Sequence, residues 1–237
     1  MDDRFLGGRV AVRQSAGGFR SGLDAVMLAA AVPARAGDHV LELGAGAGAA
    51  SLCVAARVAG CGVTAVEIDA ALAGLIRENA QVNGAAVEAV CADVFALPPE
   101  LKREFAHVFC NPPFHEGQVS PDEARDRALR DSGRFGDWLE LGLKRTVSGG
   151  TFTTIIRADR MGEALALLPG RGLSVLPLWP RADVAAKRVI IQSVKGARSA
   201  LTMLPGLVLH EDDGRYTAQA DAVLRGGASL ALESRRL

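Results

Sequence analysis

Three glycines at alternate positions, directly after a short apolar segment, constrain the fold of this 237-residue chain more than any other feature. Residues 39–43 read His-Val-Leu-Glu-Leu, which is typical of a buried strand, and Gly44, Gly46 and Gly48 follow. Residues 48–59 then have helical composition. A glycine-rich turn between a strand and a helix lets backbone N–H groups approach a ligand closely. The pattern therefore predicts a βα unit with a ligand site at its turn.

Strand-like and helix-like segments alternate after this unit. Apolar runs predict strands at residues 62–68, 87–91, 106–110, 151–157, 172–179, 187–195 and 201–210, and the intervening patterns predict helices at residues 70–83, 135–147, 161–168 and 216–224. Residues 180–183 are too short for a crossover helix. The strands on either side of them should therefore be antiparallel.

The chain is predicted to be one α/β domain. Residues 1–34 would form a small N-terminal cap, a hairpin turned at Gly17-Gly18 and a helix stopped by Pro33, on a core of residues 35–237. The core is predicted to be Rossmann-like, with a seven-stranded, mostly parallel sheet that ends in the antiparallel hairpin. Because such a hairpin distinguishes class I methyltransferases from dehydrogenases, the class I methyltransferase fold is expected.

The tetrapeptide Asn111-Pro112-Pro113-Phe114 directly follows the predicted strand at residues 106–110. A planar amine is a poor nucleophile because its lone pair is delocalised into the ring. The Asn side-chain carbonyl and the main-chain carbonyl of Pro112 can each accept one N–H, which draws the nitrogen toward tetrahedral geometry and stabilises the charge that grows during attack. These four residues are the predicted catalytic group of an amino-group methyltransferase, and an ordinary Asn-Pro turn is the alternative.

The glycine-rich turn alone does not decide between two classes of cofactor. Gly44-x-Gly46-x-x-Ala49 also fits a dinucleotide-binding turn, and Glu67 lies where an acid would bind ribose hydroxyls in either case. Three features favour S-adenosylmethionine. They are Glu42, two residues before the first glycine; Asp93, at the end of the third strand; and the Asn-Pro-Pro segment, which has no role in hydride transfer.

Charge and cysteine usage narrow the classes of partner and location. Basic and acidic residues both number 27, so an RNA partner would have to meet a local basic patch.

The four cysteines form no Cys-x-x-Cys pair and are predicted to be reduced core thiols. The acidic start and the absence of any apolar run near the ~20 residues of a membrane span predict a cytoplasmic protein. The four histidines have no metal-ligand spacing, so no metal is expected. Candidate phosphate-binding groups are Arg9, Arg13, Arg20, Arg125, Arg127, Arg130, Arg134, Lys187, Arg188, Lys195 and Arg198.

The chain resembles the bacterial tRNA1(Val) adenine-N6 methyltransferases over nearly its whole length. The resemblance rests on residues 18–29, which begin Gly-Phe-Arg-Ser-Gly-Leu-Asp, and on residues 41–48, 111–114, 188–190 and 207–210. In that family the first segment usually carries Thr-Asp and closes over the cofactor; here Leu23 replaces the Thr and Asp24 is kept. The resemblance implies a Rossmann-like fold, S-adenosylmethionine as methyl donor and an adenine amino group in tRNA as acceptor.

Matching positions also imply roles for individual residues. Asn111 and Pro112 would hold the amine, Phe114 would stack on the base, and Glu67 and Asp93 would bind the ribose and the adenine of the cofactor. The full set of predicted cofactor-binding residues is Arg20, Asp24, Glu42, Gly44, Gly46, Gly48, Glu67, Ile68, Asp93, Val94 and Asn111.

Two related families and two other classes of protein are alternatives. Residues 110–117, Cys-Asn-Pro-Pro-Phe-His-Glu-Gly, are also similar to the ribosomal guanine-N2 methyltransferases, which generally carry an additional N-terminal half. The release-factor glutamine methyltransferases carry Asn-Pro-Pro-Tyr, usually after an N-terminal helical domain. A non-catalytic RNA-binding module and a nicotinamide enzyme are the others, and the intact Asn-Pro-Pro-Phe argues against both.

Overall fold

The computed structural model describes residues 2–15, 20–113 and 134–232. Within these ranges the strands are β1 (Asp2–Phe5), β2 (Val10–Arg13), β3 (His39–Leu43), β4 (Gly62–Glu67), β5 (Val87–Cys91), β6 (Phe105–Cys110), β7 (Thr146–Arg157), β8 (Leu173–Trp179), β9 (Arg188–Val194), β10 (Thr202–Met203) and β11 (Leu207–Val208). The α-helices there are α1 (Leu23–Ala31), α2 (Ala49–Arg57), α3 (Ala70–Asn83), α4 (Phe135–Lys144), α5 (Met161–Leu167) and α6 (Ala218–Leu224).

The central sheet has the order β5-β4-β3-β6-β7-β9-β8, and β9 runs antiparallel to both of its neighbours while the other pairs are parallel. The predicted class I methyltransferase fold is confirmed. In the described part of the chain the sheet has nine strands rather than seven, because residues 201–210 form two strands of two residues each. Pro205 and Gly206 separate the two short strands, and Gly206 has a φ of 89°. Strands β10 and β11 both pair with β8.

The switch point of this topology lies between β3 and β6. From β3 the chain continues to β4 and β5 on one side of the sheet, and then to β6 and β7 on the other. Leu43 pairs with Cys110 across the switch point. Gly44 and Asn111 directly follow this pair, so they are adjacent at the ends of two parallel strands. Neighbouring strands of a sheet lie about 4.8 Å apart. Open α/β sheets bind ligands at this position.

Helices cover both faces of the sheet. Val40 and Phe109 belong to one buried cluster with α1, α2 and α6, whereas Leu41 and Val108 belong to a second cluster with α4 and α5. Successive residues of a strand point to opposite faces, so both faces of β3 and β6 are buried. This two-sided burial explains why the central strands are mostly apolar in sequence.

The N-terminal residues form a hairpin and helix α1, and the hairpin differs from the prediction. β1 pairs with β2 in an antiparallel hairpin, and the turn is a 3-10 segment at Leu6–Gly8. The predicted turn at Gly17-Gly18 lies outside the described residues. Helix α1 then packs on the core, where the Gln192 side chain donates to the Ala31 carbonyl oxygen at 2.9 Å.

Three of the four cysteines are buried, as predicted. Burial raises the pKa of Cys53 and of Cys110 to about 12, and Cys61 is also buried. The prediction is wrong for Cys91, which is exposed because it ends the edge strand β5. Across the described ranges, no helix is long and apolar enough to span a membrane, and no group of three His, Cys, Asp or Glu side chains is arranged to hold a metal ion.

Candidate active site

The segment from Gly44 to Gly48, here called the glycine loop, has a left-handed backbone at each of its three glycines. Their φ angles are 69° at Gly44, 58° at Gly46 and 83° at Gly48. The Val66 carbonyl oxygen at the end of β4 accepts hydrogen bonds from the Gly44 and Ala45 amides at 2.9 and 3.0 Å. A Cβ added at Gly46 would have no atom within 4 Å among the described residues, so this side of the loop is open to a ligand.

Glu67 holds the open side of the glycine loop. Its Oε2 accepts from the Gly46 amide at 2.8 Å, and its Oε1 accepts from the Asp69 amide at 3.0 Å. Burial raises the pKa of this carboxyl group above its ordinary value, while the backbone hydrogen bonds oppose that rise. The carboxyl group thus lies at the loop, at the carboxyl end of β4, where the sequence predicted a ribose-binding acid.

Glu42 lies on the other side of the loop, inside the protein. Only 3% of its surface is exposed. Its Oε2 accepts from the Ser51 amide at 3.0 Å and from the Ser51 hydroxyl, so it supports the first turn of α2. Burial raises the pKa of Glu42 to about 8. A direct contact between Glu42 and a cofactor stays a prediction.

Apart from Asn111, which follows β6, the other predicted cofactor residues of the core lie at the carboxyl ends of β4 and β5. Ile68 directly follows β4 and is 43% exposed, and its contact with a cofactor stays a prediction. Asp93 begins a 3-10 helix, Val94–Ala96, and its Oδ1 accepts from the Phe95 amide at 2.8 Å. Val94 is buried.

The two predicted cofactor residues of the cap both form ion pairs. Arg20 donates to both carboxylate oxygens of Asp3 at 2.7 Å, and this guanidinium holds the pKa of Asp3 below its usual range. Asp24, in the first turn of α1, accepts from Arg188 at 2.8 Å. The Asp24–Arg188 pair joins the cap to β9, and contacts of Arg20 and Asp24 with a cofactor stay predictions.

Asn111 carries a buried side-chain acceptor at the switch point. Its Oδ1 is inaccessible to solvent and has no hydrogen-bond partner among the described residues. Pro112 is buried and Pro113 is half-buried, whereas Phe114 lies outside the described residues. The neighbouring Cys110 thiol, with its pKa of about 12, contacts Thr154 at 3.6 Å and is no thiolate nucleophile at neutral pH.

Trp138 is a site residue that sequence analysis missed. A Cβ on Gly44 would lie 2.7 Å from the tip of the Trp138 indole, so the ring packs directly on the first loop glycine. The indole also meets Phe95 edge to face, with centroids 5.6 Å apart, and the Arg134 guanidinium lies 3.6 Å from the Phe95 centroid. An aromatic residue in an amphipathic helix has the sequence pattern of an ordinary core residue, so no signal distinguished it.

Replacing Gly44 with alanine should lower the free energy of unfolding by about 2 to 3 kcal/mol, because the new Cβ meets Trp138 and the left-handed backbone is strained. Gly46→Ala is the matched control, since its Cβ meets open space and only the backbone strain of about 1 kcal/mol remains. Urea denaturation measures both. Equal losses would contradict the packing of Trp138 on the loop.

Comparisons with known proteins agree with this geometry. Residues 15–136 match the methyltransferase small domain family. The tRNA1(Val) (adenine(37)-N6)-methyltransferase of Glaesserella parasuis is 26% identical over 202 residues, which cover 82% of this chain and 84% of that protein. The crystal structure of a predicted O-methyltransferase from Agrobacterium tumefaciens has 31% identity and a TM-score of 0.74, and the match covers 88% of this chain and 98% of that one.

A ribosomal RNA enzyme shares the fold at lower similarity. The 16S rRNA N2 G1207 methyltransferase of Thermus thermophilus, solved with AdoMet and guanosine, has a TM-score of 0.56 and 21% identity, and the match covers 82% of this chain and 50% of that one. The family match spans more than half of this chain and includes both the glycine loop and Asn111-Pro112-Pro113. This chain therefore belongs to the methyltransferase small domain family and is an S-adenosylmethionine-dependent methyltransferase.

Proposed function

We propose that this protein methylates an exocyclic amino nitrogen of a nucleobase in RNA, with adenine N6 in tRNA as the first acceptor. The observation that carries the proposal is the buried Oδ1 of Asn111, which has no hydrogen-bond partner among the described residues. A buried acceptor without a partner costs stability, typically about 1 to 3 kcal/mol. Such a cost is understandable where a substrate supplies the missing donor.

The residues of the site divide into a donor side and an acceptor side. S-adenosylmethionine, when bound, supplies a methyl group activated by a sulfonium. The glycine loop, Glu67, Ile68, Asp93 and Val94 would hold it, since they line the carboxyl ends of β3, β4 and β5. The loop is already fixed in a left-handed conformation and open at Gly46, so little ordering is needed on binding.

Asn111 and Pro112 act on the acceptor nitrogen. The two N–H groups of a planar amine would be held by the Asn111 Oδ1 and the Pro112 carbonyl oxygen, which turns the lone pair out of conjugation and toward the methyl group. Both acceptors also stabilise the positive charge that develops on nitrogen. After transfer the nitrogen carries one excess proton, which is acidic enough to pass to water.

A nitrogen acceptor fits these residues better than an oxygen acceptor, the class named for the Agrobacterium protein. A hydroxyl group has a single proton, and a base has to remove it during attack. Asn111 is not a base, and the Cys110 thiol beside it has a pKa of about 12. Of the histidines that the structure describes, His39 and His107 bond the hydroxyls of Thr64 and Thr151, farther down the sheet, and His115 lies outside the described residues.

The choice of RNA rests on the relatives and on the position of basic side chains. The curated relatives are named for tRNA, and the Thermus enzyme for 16S rRNA. Because β9 is antiparallel, Lys187 lies at the same sheet edge as Asn111, whereas Lys195 and Arg198 lie at the opposite edge. Arg13 and Arg20 are ion-paired with acids. Arg125, Arg127 and Arg130 lie outside the described residues.

The test is incubation of the protein with labelled S-adenosylmethionine and total RNA that lacks its own modification, followed by nuclease digestion and nucleoside mass spectrometry. Label in N6-methyladenosine of the tRNA fraction is the expected result. Label in N2-methylguanosine of rRNA would move the acceptor to guanine, and label in 2′-O-methylated nucleosides would overturn the nitrogen assignment. Absence of label from every RNA nucleoside, with S-adenosylmethionine binding measured in parallel, would overturn the RNA assignment.

A further inference from the structure

We propose that Asn79 is a positioning residue that couples the N-terminal cap to the glycine loop and thereby to cofactor affinity. Asn79 lies on α3, and only 3% of its surface is exposed. Its Oδ1 accepts from the Arg13 amide at 2.9 Å, and its Nδ2 donates to the carbonyl oxygens of Arg13 and Ala47, each at 3.0 Å. One side chain thus joins helix α3, strand β2 of the cap and the glycine loop.

The two bonds to Arg13 pair the Asn79 amide group with the backbone of β2, as a residue of a neighbouring strand would. A primary amide presents one acceptor and two donors in a plane, so it can bind the N–H and the C=O of a single residue and still donate one more hydrogen bond. At Asn79 that remaining donor is used on Ala47, which lies between Gly46 and Gly48. Loss of the amide would remove this partner from the Arg13 amide and carbonyl, at a part-buried position, and from the Ala47 carbonyl, at a buried one.

Asn83, one turn later on α3, provides an internal comparison. Its Oδ1 accepts from the Ala11 amide at 2.9 Å, and its Nδ2 donates to the Ala11 carbonyl oxygen at 2.7 Å. Its third bond goes to the Asn79 carbonyl oxygen of the same helix, at 2.7 Å. The two asparagines therefore bind the cap strand in the same way and differ in whether the third bond reaches the glycine loop.

The connection continues from Arg13 into the rest of the cap. Gln14 follows directly; its Nε2 donates to the Ser21 carbonyl oxygen at 3.0 Å, and its Oε1 accepts from the Ser21 amide at 2.7 Å. Ser21 lies beside Arg20, which pairs with Asp3. Hydrogen bonds of Gln14 thus join the end of β2 to the segment that carries the predicted cofactor residues of the cap. Asn79 joins the same strand to the glycine loop.

Coupling of this kind is reciprocal. If the cap holds the glycine loop in its binding conformation, the cofactor binds without the cost of ordering the loop. Cofactor binding must then stabilise the cap strand by the same factor. Both directions are measured with the cofactor and without an RNA acceptor, so the inference does not depend on which acceptor the enzyme uses.

The experiment compares Asn79→Ala with Asn83→Ala. Isothermal titration with S-adenosylmethionine should give a Kd about 10-fold higher for Asn79→Ala and within about 2-fold of wild type for Asn83→Ala. Hydrogen exchange is the second readout. Addition of S-adenosylmethionine should slow exchange in β2 of the wild type and of Asn83→Ala, and should have little effect there in Asn79→Ala.

An equal rise in Kd in both variants would overturn the proposal. Cofactor affinity would then depend on attachment of the cap strand to α3 and not on the bond to Ala47. An unchanged Kd in Asn79→Ala would overturn it as well. Should Asn79→Ala fail to fold, hydrogen exchange of the wild-type protein carries the test. Addition of S-adenosylmethionine should slow exchange in β2, and unchanged exchange there would overturn the proposal.

Discussion

Replacing Asn111 with alanine is expected to lower kcat by about 100- to 1000-fold while the Kd for S-adenosylmethionine stays within about 2-fold of wild type. The proposed role of Asn111 is to accept a hydrogen of the acceptor amine, and that bond strengthens as charge develops on nitrogen. Its removal should therefore affect the transition state more than binding of either ligand. Steady-state turnover on the RNA acceptor and isothermal titration with the cofactor measure the two effects separately.

Stability gives this prediction an independent control. Because the Asn111 Oδ1 is buried and has no partner among the described residues, its removal should leave the free energy of unfolding unchanged or raise it by up to about 1 kcal/mol. Asn111→Asp keeps an oxygen acceptor at the same position and should retain more turnover than the alanine variant. Loss of cofactor binding in Asn111→Ala would contradict the division into donor and acceptor sides.

Some elements with local start and stop signals were predictable to the residue. Strand β3 and helix α3 begin and end where the sequence predicted. The Asp69 side chain accepts from the Ala71 and Leu72 amides at the start of α3, and Gly84 ends the helix in a left-handed conformation with a φ of 58°. Such caps act through adjacent residues, so the sequence pattern alone carries them.

Elements that depend on pairing with distant residues were predicted less well. Strand β1 was not predicted, and β7 begins at Thr146 rather than at residue 151. The residues before Thr151 include Gly149 and Gly150, which weaken a strand pattern, yet the Gly149 amide donates to the Lys195 carbonyl oxygen at 2.9 Å. Pairing across the sheet supplies what local propensity lacks.

The same distinction applies to the site. The positions of the glycine loop and of Asn111 could be predicted because each is marked by a short run of consecutive residues. The roles of Asn79 and Trp138 could not, because each depends on a contact with a segment more than 30 residues away in sequence. The direction of the Glu42 side chain, toward Ser51, likewise depends on how α2 packs on β3.

The stability of the wild-type protein should fall as pH rises from about 5 to about 9, and Glu42→Gln should remove most of the fall. Burial raises the pKa of Glu42 from an ordinary value of 4.5 to about 8. The folded state therefore keeps a proton that the unfolded state loses above pH 4.5. This contribution is fully present below that pH and is lost as pH rises through 8, by roughly 3 to 6 kcal/mol in total.

Urea denaturation at several pH values between 5 and 9 measures the effect as the difference between wild type and Glu42→Gln. Glutamine keeps a side-chain acceptor for the Ser51 amide and hydroxyl but cannot ionise, so the support of α2 is retained and the proton linkage is removed. Glu140→Gln, at an exposed position of α4, should follow the wild-type profile. Parallel profiles for wild type and Glu42→Gln would contradict the buried, protonated state of Glu42. The expected divergence would mean that the acid before the glycine loop is a neutral support of α2 at pH 7.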